Sequence, residues 1–409
     1  MSNAAPGAWV CCHLGAREHY VVPRALHRRG DLRLVVTDAW SPPGGWRPRR
    51  PARLARRLSE RFHPELANVT VRPLTASLIG HELAWWLQRR EGWGLISARN
   101  AWFQARAAAV VANWHPDERD RPVVFAHSYS ARAIFEVAKA RGWTTVLGQI
   151  DPGPEHFAIA RRLAEQAPEF GPVPEEPPAA YFDSWRDECA LADRIAVNSE
   201  WARTALTRAG VAAAKLHVVP LAYEPEQAAP PPRHVYPDVF TAARPLRVLY
   251  VGSVSVVKGV GELLRAMAGL GDLPVALRVV GKPGMTVPAQ LAALPSIEWV
   301  GAVTRSEVMA QYQACDVLVF PSHSDGFGMA QVEAQAHGLP VIASAFCGPV
   351  VEDGRTGLVL LEITPSAIAE ALRLVLARPQ RLAEFSVNAA SRQASDVVAL
   401  GAALASVVS

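Results

Sequence analysis

Along most of the chain, short apolar runs alternate with stretches in which apolar residues recur at helical spacing. Trp9 to His13 is a brief apolar run that ends in Leu14-Gly15-Ala16, and an amphipathic stretch from Arg17 to Arg29, closed by Gly30, follows it. That order predicts strand, tight turn and helix. The pattern continues with strands over 32–37 and 123–126, a helix over 131–141 stopped by Gly142, and a strand over 144–150. A helix over 181–192, a strand over 194–198, a helix over 200–209 and a strand over 216–220 complete a first unit. Strands that alternate with helices predict a parallel sheet covered on both faces.

Between Glu224 and Pro245 there are six prolines and few apolar side chains, which predicts a linker. A second unit follows, with strands over 247–251, 276–280, 297–300, 316–320 and 340–344 and helices over 261–269, 304–313 and 329–337. The expected fold class is therefore α/β, two doubly wound Rossmann-like domains facing a cleft, over 1–223 and 246–385 with the linker at 224–245. A last helix over 386–409 is expected to pack back on the N-terminal domain. The proline- and glutamate-rich stretch from Pro168 to Pro178 reads as an exposed loop, and residues 40–122, rich in tryptophan and arginine, as the irregular part.

A length of 409 residues with half of them hydrophobic excludes a single small module and wholesale disorder. No apolar run approaches the roughly 18–20 residues that cross a bilayer, and the start lacks the pattern of a signal peptide. A cytoplasmic protein is expected. Five cysteines without metal-ligand spacing read as reduced core thiols. The net charge of +4 hides an asymmetry, because residues 1–122 carry 19 arginines against 10 acidic residues. Seven of those arginines lie between Arg47 and Arg61. Two readings stand side by side: an amphipathic helix in peripheral contact with the inner face of a membrane, and a solvated helix in a chain that prefers arginine. No nucleic-acid-binding module is present, so nucleic acid is not expected as a partner.

Chemistry concentrates in the second unit. After the strand over 316–320 comes Pro321-Ser322-His323-Ser324-Asp325-Gly326-Phe327-Gly328, then a helix that carries Glu333. A strand that runs into a glycine-flanked loop and a helix start offers backbone amides to an anion, and Asp325 and Glu333 are hydroxyl acceptors at two depths of one crevice. The chain has only four lysines, and one of them, Lys258, precedes Gly259 just beyond the strand over 247–251.

This pattern resembles the retaining, GT-B-fold glycosyltransferases of family 4, the glycosyl transferases of group 1. Their signature is an acid, seven residues and a glutamate around Gly-Phe-Gly, and Asp325 stands here where glutamate is more common. The resemblance implies that Glu333 binds the ribose of the nucleotide, that Asp325 contacts the donor sugar, and that Gly326, Phe327 and Gly328 lie near the sugar and phosphate. It places Lys258 on the diphosphate, with Ser253 where many members carry arginine. In the first unit it places Gly15 and Ala16 between diphosphate and acceptor, and His127 near the donor sugar. The implied activity is transfer of a sugar, with retention, from a nucleoside diphosphate donor to a hydroxyl acceptor, lipid-linked or a cell-surface glycan precursor. No cofactor and no metal are expected. The competing reading is a catalytically silent sugar-nucleotide-binding protein. A glycoside hydrolase fits less well, since the helix start beside Asp325 favours its anion over the raised pKa an acid catalyst needs.

Overall fold

The computed structural model describes residues 7–42, 61–225, 234–391 and 396–409. Two parallel sheets organise them. The first holds β1 (Gly7–His13), β2 (Leu32–Thr37), β3 (Val71–Pro73), β4 (Arg121–His127), β5 (Thr144–Gly148), β6 (Arg194–Val197) and β7 (Leu216–Val218), in the order β3-β2-β1-β4-β5-β6-β7. The second holds β8 (Leu246–Val251), β9 (Val275–Val280), β10 (Ile297–Gly301), β11 (Val317–Phe320), β12 (Val341–Ser344) and β13 (Gly357–Leu360), in the order β10-β9-β8-β11-β12-β13. The central strands are buried on both faces, as near-continuous apolar runs such as Val317–Phe320 require. Two doubly wound α/β domains result, as the alternation of patterns predicts.

In each sheet the strand order reverses beside the first strand, between β1 and β4 and between β8 and β11. Loops leaving those neighbouring strands turn to opposite faces of the sheet and open a crevice beyond the carboxyl ends. His13 and His127 end β1 and β4, Lys258 follows β8, and Asp325 follows β11. The topology alone thus gathers most of the candidate chemistry.

Of the stretch 40–122 that reads as irregular, residues 61–122 are described, and they are largely regular. Helix α1 (Val21–Arg28) follows β1, and beyond β3 the chain forms α2 (Thr75–Leu87) and α3 (Gly92–Ala112). Helix α3 buries Trp102, Phe103, Ala107 and Val111 in the first core, where Trp85 of α2 meets Trp102 edge-on. Apolar residues on more than one face of α2, and alanines on both faces of α3, erase the single-stripe signal by which a helix is recognised. The arginine-rich stretch lies outside the described residues except for Arg61, whose guanidinium is 3.1 Å from Asp38.

The stretch from Pro168 to Pro178 is not simply an exposed loop either. It follows the helix Pro154–Gln166 of the first domain, yet Phe170 is buried in the core of the second. Its ring packs on Gly261, its carbonyl accepts from the Thr286 amide at 2.9 Å, and Arg265 lies over the ring while pairing with Glu169. The chain also returns in the other direction. After a helix over Pro379–Ser391, a separate helix (Val397–Val408), capped by Asp396, lies on the helix Val21–Arg28 and on β6. Gly401 allows this approach, since a Cβ there would stand 2.7 Å from the Ala25 carbonyl oxygen. All five cysteines are buried free thiols.

Candidate active site

The loop that follows β1 is strained. Gly15 takes a positive φ, and Glu18, His19 and Tyr20 follow in left-handed conformation where a regular helix from Arg17 is expected from the sequence. Such backbone is costly for residues with a side chain and survives only where its surroundings hold it. Here Tyr20 is fully buried, and its hydroxyl lies 3.3 Å from the Ala39 carbonyl, to which it donates. The Gly15 amide donates to Asp38 at 3.2 Å. Glu18 is thereby projected into the space between the domains.

On the opposite wall, β8 runs into a short turn that places Lys258 before Gly259. Gly259 has a φ of 69°, and a Cβ there would meet the Pro321 carbonyl oxygen at 1.9 Å, so only glycine lets the loops after β8 and β11 lie together. This contact brings Lys258 Nζ to 2.5 Å from Asp325 Oδ2. Asp325 Oδ1 in turn accepts from the Phe327 amide at 3.2 Å. Gly328, in left-handed conformation, starts the helix Met329–Ala336 that bears Glu333. Glu333 accepts from the Tyr312 hydroxyl at 2.9 Å, and burial raises its pKa against the pull of that bond and of Arg305. A carboxylate has about four lone-pair positions, so Tyr312 fixes the group without using it up.

The domains touch through these same loops. The Ser199 hydroxyl donates to the Gly326 carbonyl at 2.7 Å, and Gly326 lies so close to Ile150 that a Cβ would stand 2.6 Å from its carbonyl oxygen. His156 Nδ1 is 3.2 Å from the Ser324 hydroxyl. Among the described residues, two neighbouring cavities lie between these walls. One of about 260 Å³ is lined by His127, Gln149 and Asn198 from the first domain, Asp325, Phe327 and Gly328 from the second, and Leu400 and Leu404 from the last helix. The other, about 330 Å³, is lined by Ala16, His19, Tyr223, Arg305, Met329 and Glu333 among others. Glu18 lines both.

His127 is buried beside His13, ring centroids 4.5 Å apart and edge to face. Neither ring nitrogen of His127 makes a well-formed hydrogen bond, although the Gly148 backbone lies close. Burial holds its pKa well below the ordinary histidine value, with His13 and Arg17 adding to the effect, and His13 is lowered to about 3 chiefly by burial. Both imidazoles are neutral near pH 7, so His127 is suited to hydrogen bonding rather than to carrying charge.

The sequence candidates therefore divide. His127, Asp325, Phe327 and Gly328 share one cavity, Ala16 and Glu333 line the other, Lys258 is tied to Asp325, and Gly326 forms the contact between the domains. Gly15 lies behind this front, next to Asp38 and Arg61. Ser253 is exposed, its carbonyl accepting from the Tyr250 hydroxyl at 2.7 Å, and lines neither cavity. Asp316 sits at the amino end of β11, where Arg244 and Arg247 bind it. Glu18, Tyr312 and Arg305 were not legible as site residues. Glu18 belongs to the Gly15-Ala16-Arg17-Glu18 loop, but its left-handed backbone is what aims it at the cavities; Arg305 lies in a polar stretch without a motif, and only the fold brings Tyr312 to Glu333.

Residues 245–378 match the model of the family described as glycosyl transferases group 1. Among curated relatives, the D-inositol 3-phosphate glycosyltransferase of Kineococcus radiotolerans is 32% identical over 280 residues, 61% of this chain and 64% of that protein. D-inositol 3-phosphate glycosyltransferase 2 of Catenulispora acidiphila is 33% identical over 165 residues, 36% of this chain and 39% of that protein. The chain thus spans between about a quarter and two thirds of the length of the curated relatives it matches. Solved structures cover nearly all of it. Anabaena HepE in complex with UDP has a TM-score of 0.61 at 18% identity, covering 98% of this chain and 99% of that one. Sucrose-phosphate synthase from Thermosynechococcus elongatus has a TM-score of 0.62 at 17% identity, with 98% of each chain covered. The fold is the GT-B arrangement, and residues 245–378 are similar to the group 1 glycosyl transferases.

Proposed function

We propose, from the similarity of residues 245–378 to the group 1 glycosyl transferases, that this chain is a retaining glycosyltransferase moving a sugar from a nucleoside diphosphate to a hydroxyl acceptor. The observation that supports this best is the convergence of Glu333 and of Asp325, which Lys258 binds, from the second domain on cavities that His127 and Glu18 line from the first.

In this reading Glu333, steadied by Tyr312, binds the ribose hydroxyls in the cavity it shares with Arg305. Lys258 meets the diphosphate. Its ammonium has three donors, so one can stay on Asp325 while the others reach phosphate oxygens. Negative charge grows on the leaving diphosphate in the transition state, and a preorganised cation with the amides at Gly328 stabilises it there. The reading assigns that task to Lys258, and no metal is needed for it. Asp325 and neutral His127 hold the hydroxyls of the sugar. The acceptor approaches from the first domain past Glu18, on the face from which the diphosphate departs, and a phosphate oxygen takes its proton. Contact between Gly326 and Ile150 excludes water from the sugar carbon and limits donor hydrolysis.

UDP in the HepE complexes makes uridine donors the first to try. UDP-, GDP- and ADP-sugars are compared by the rise in melting temperature. A nucleotide at about 100 times its dissociation constant adds about 2.7 kcal/mol. Slow release of nucleoside diphosphate from the stabilising donor would establish an enzyme. Stabilisation with no release, with or without sugar, inositol phosphate and lipid acceptors, would favour the silent binder.

A further inference from the structure

Helix α2 is apolar on two sides. Leu78 and Trp85 face the first core, and Trp102 Nε1 donates to Ser77 at 3.1 Å. The other side carries Ile79, Leu83, Trp86 and Leu87, spaced three and four apart on one helical face. They are 43%, 56%, 73% and 67% exposed, and Ile96 on α3 is 40% exposed. Other exposed large hydrophobics, such as Trp299, Leu361 and Val387, are scattered over separate elements, which is ordinary for a surface. A continuous apolar stripe is different, because it marks a contact surface.

The charges around the stripe indicate what covers it. Exposed Arg89 and Arg90 stand at its carboxyl end, and Arg90 continues the spacing of Leu83 and Trp86. Glu82, within the helix, is already bound by Arg99, and the first turn of α2 holds no acid. A second copy docking by this face would find no free carboxylate on α2 for those arginines, whereas anionic phosphates answer both the cations and the apolar face. The place is also suitable. Leu74 is bonded to Thr37 at the carboxyl end of β2, and the Trp40 amide donates to Thr75 at 3.1 Å, so α2 begins at the edge of the sheet that faces the cavities.

We propose that α2, with Ile96 beside it, is an interfacial helix that seats the N-terminal domain on an anionic bilayer. Leu83, Trp86 and Leu87 enter the boundary between headgroups and acyl chains, and Arg89 and Arg90 lie among the phosphates. This inference does not depend on the catalytic reading. It uses no residue of the arginine-rich stretch.

The test is flotation of the full chain with vesicles of phosphatidylcholine and phosphatidylglycerol, and of phosphatidylcholine alone. Binding to the anionic vesicles is expected at about 50 mM salt and should weaken at about 500 mM, where charges are screened. A Leu83→Asn, Trp86→Ser variant should lose about tenfold or more in partition coefficient at an unchanged melting temperature. Trp86→Ser alone, at the most exposed of these positions, keeps the test valid if the double variant fails to fold. Absence of flotation at low salt, equal flotation of wild type and variants, or a dimer that these substitutions dissolve without any vesicle binding would each overturn the proposal.

Discussion

Replacing Lys258 with alanine removes a positive charge from the point where the diphosphate is proposed to leave, and strips Asp325 of its partner. The lysine side chain is 22% exposed and the aspartate 20%, so both charges are only partly screened by water. Two unit charges about 4 Å apart interact by about 4 kcal/mol at an effective dielectric of 20. The loss of attraction and the unmasked repulsion from Asp325 act in the same direction. Part of that energy is already spent on the ground-state phosphate, and only the part that grows with the leaving charge slows the reaction. Removal of one preorganised donor costs about 2.7–4 kcal/mol, so kcat should fall by about 100-fold or more. Affinity for free nucleoside diphosphate should fall much less. Diphosphate release from the preferred donor gives kcat, and titration calorimetry gives the affinity. Turnover within about threefold of wild type would refute the placement. A loss confined to affinity would refute the transition-state argument and leave Lys258 a binding residue.

Glu333→Gln should weaken nucleoside diphosphate and intact donor alike, by about tenfold, because charge-assisted bonds to ribose are lost; equal affinity by calorimetry would remove Glu333 from the ribose. Gly259→Ala should yield insoluble or inactive protein, since its Cβ would collide with the Pro321 carbonyl, and a soluble variant with normal melting would refute the close approach of the two loops. Glu188 accepts from the amides of Tyr129, Ala131 and Arg132 while burial pushes its pKa up to about 7 from the ordinary 4.5. Its contribution to stability is therefore complete below about pH 4.5 and is lost as the pH rises through about 7, a span of about 3 kcal/mol. Urea denaturation should show that decline, and Glu188→Gln should flatten it; parallel curves for the two proteins would count against the assignment. Phe170→Ala should cost about 3–5 kcal/mol in unfolding free energy, read by the same method, and an exposed-loop value below about 0.5 kcal/mol would contradict its burial in the second domain.

The strands and the donor-side motifs were legible because each is a local pattern. Short apolar runs bounded by glycine, proline or a charged residue give β1, β8 and β11, and the loop around Gly326 follows its strand within a few residues. What stayed hidden depends on distant partners. Helix α2 shows no single stripe because one of its apolar faces meets Trp102 and the other is largely exposed. Phe170 sits in a polar, proline-rich stretch and is buried by a domain whose first strand begins at Leu246. Glu18 is aimed at the cavities by three left-handed residues, and nothing in Arg17-Glu18-His19-Tyr20 signals that conformation. The final segment reads as one helix because its apolar residues run on, while the structure assigns Pro379–Ser391 to one helix and starts another after Asp396.

The helix Val397–Val408 also sets an order of events during synthesis. It covers Val21–Arg28 and supplies Leu400 and Leu404 to the cavity, yet the ribosome makes it only after the whole second sheet. At about 5–20 residues per second, roughly 10–40 s pass between the end of β7 and this helix. Through that interval the first sheet is assembled, but Val22 and Ala25 have no cover, and the cavity lacks one wall. The nascent N-terminal domain is therefore sticky before it is competent. A stop codon placed after Ser391 should leave a product that is captured by chaperones and melts early, although both sheets and Lys258, Asp325 and Glu333 are present in it.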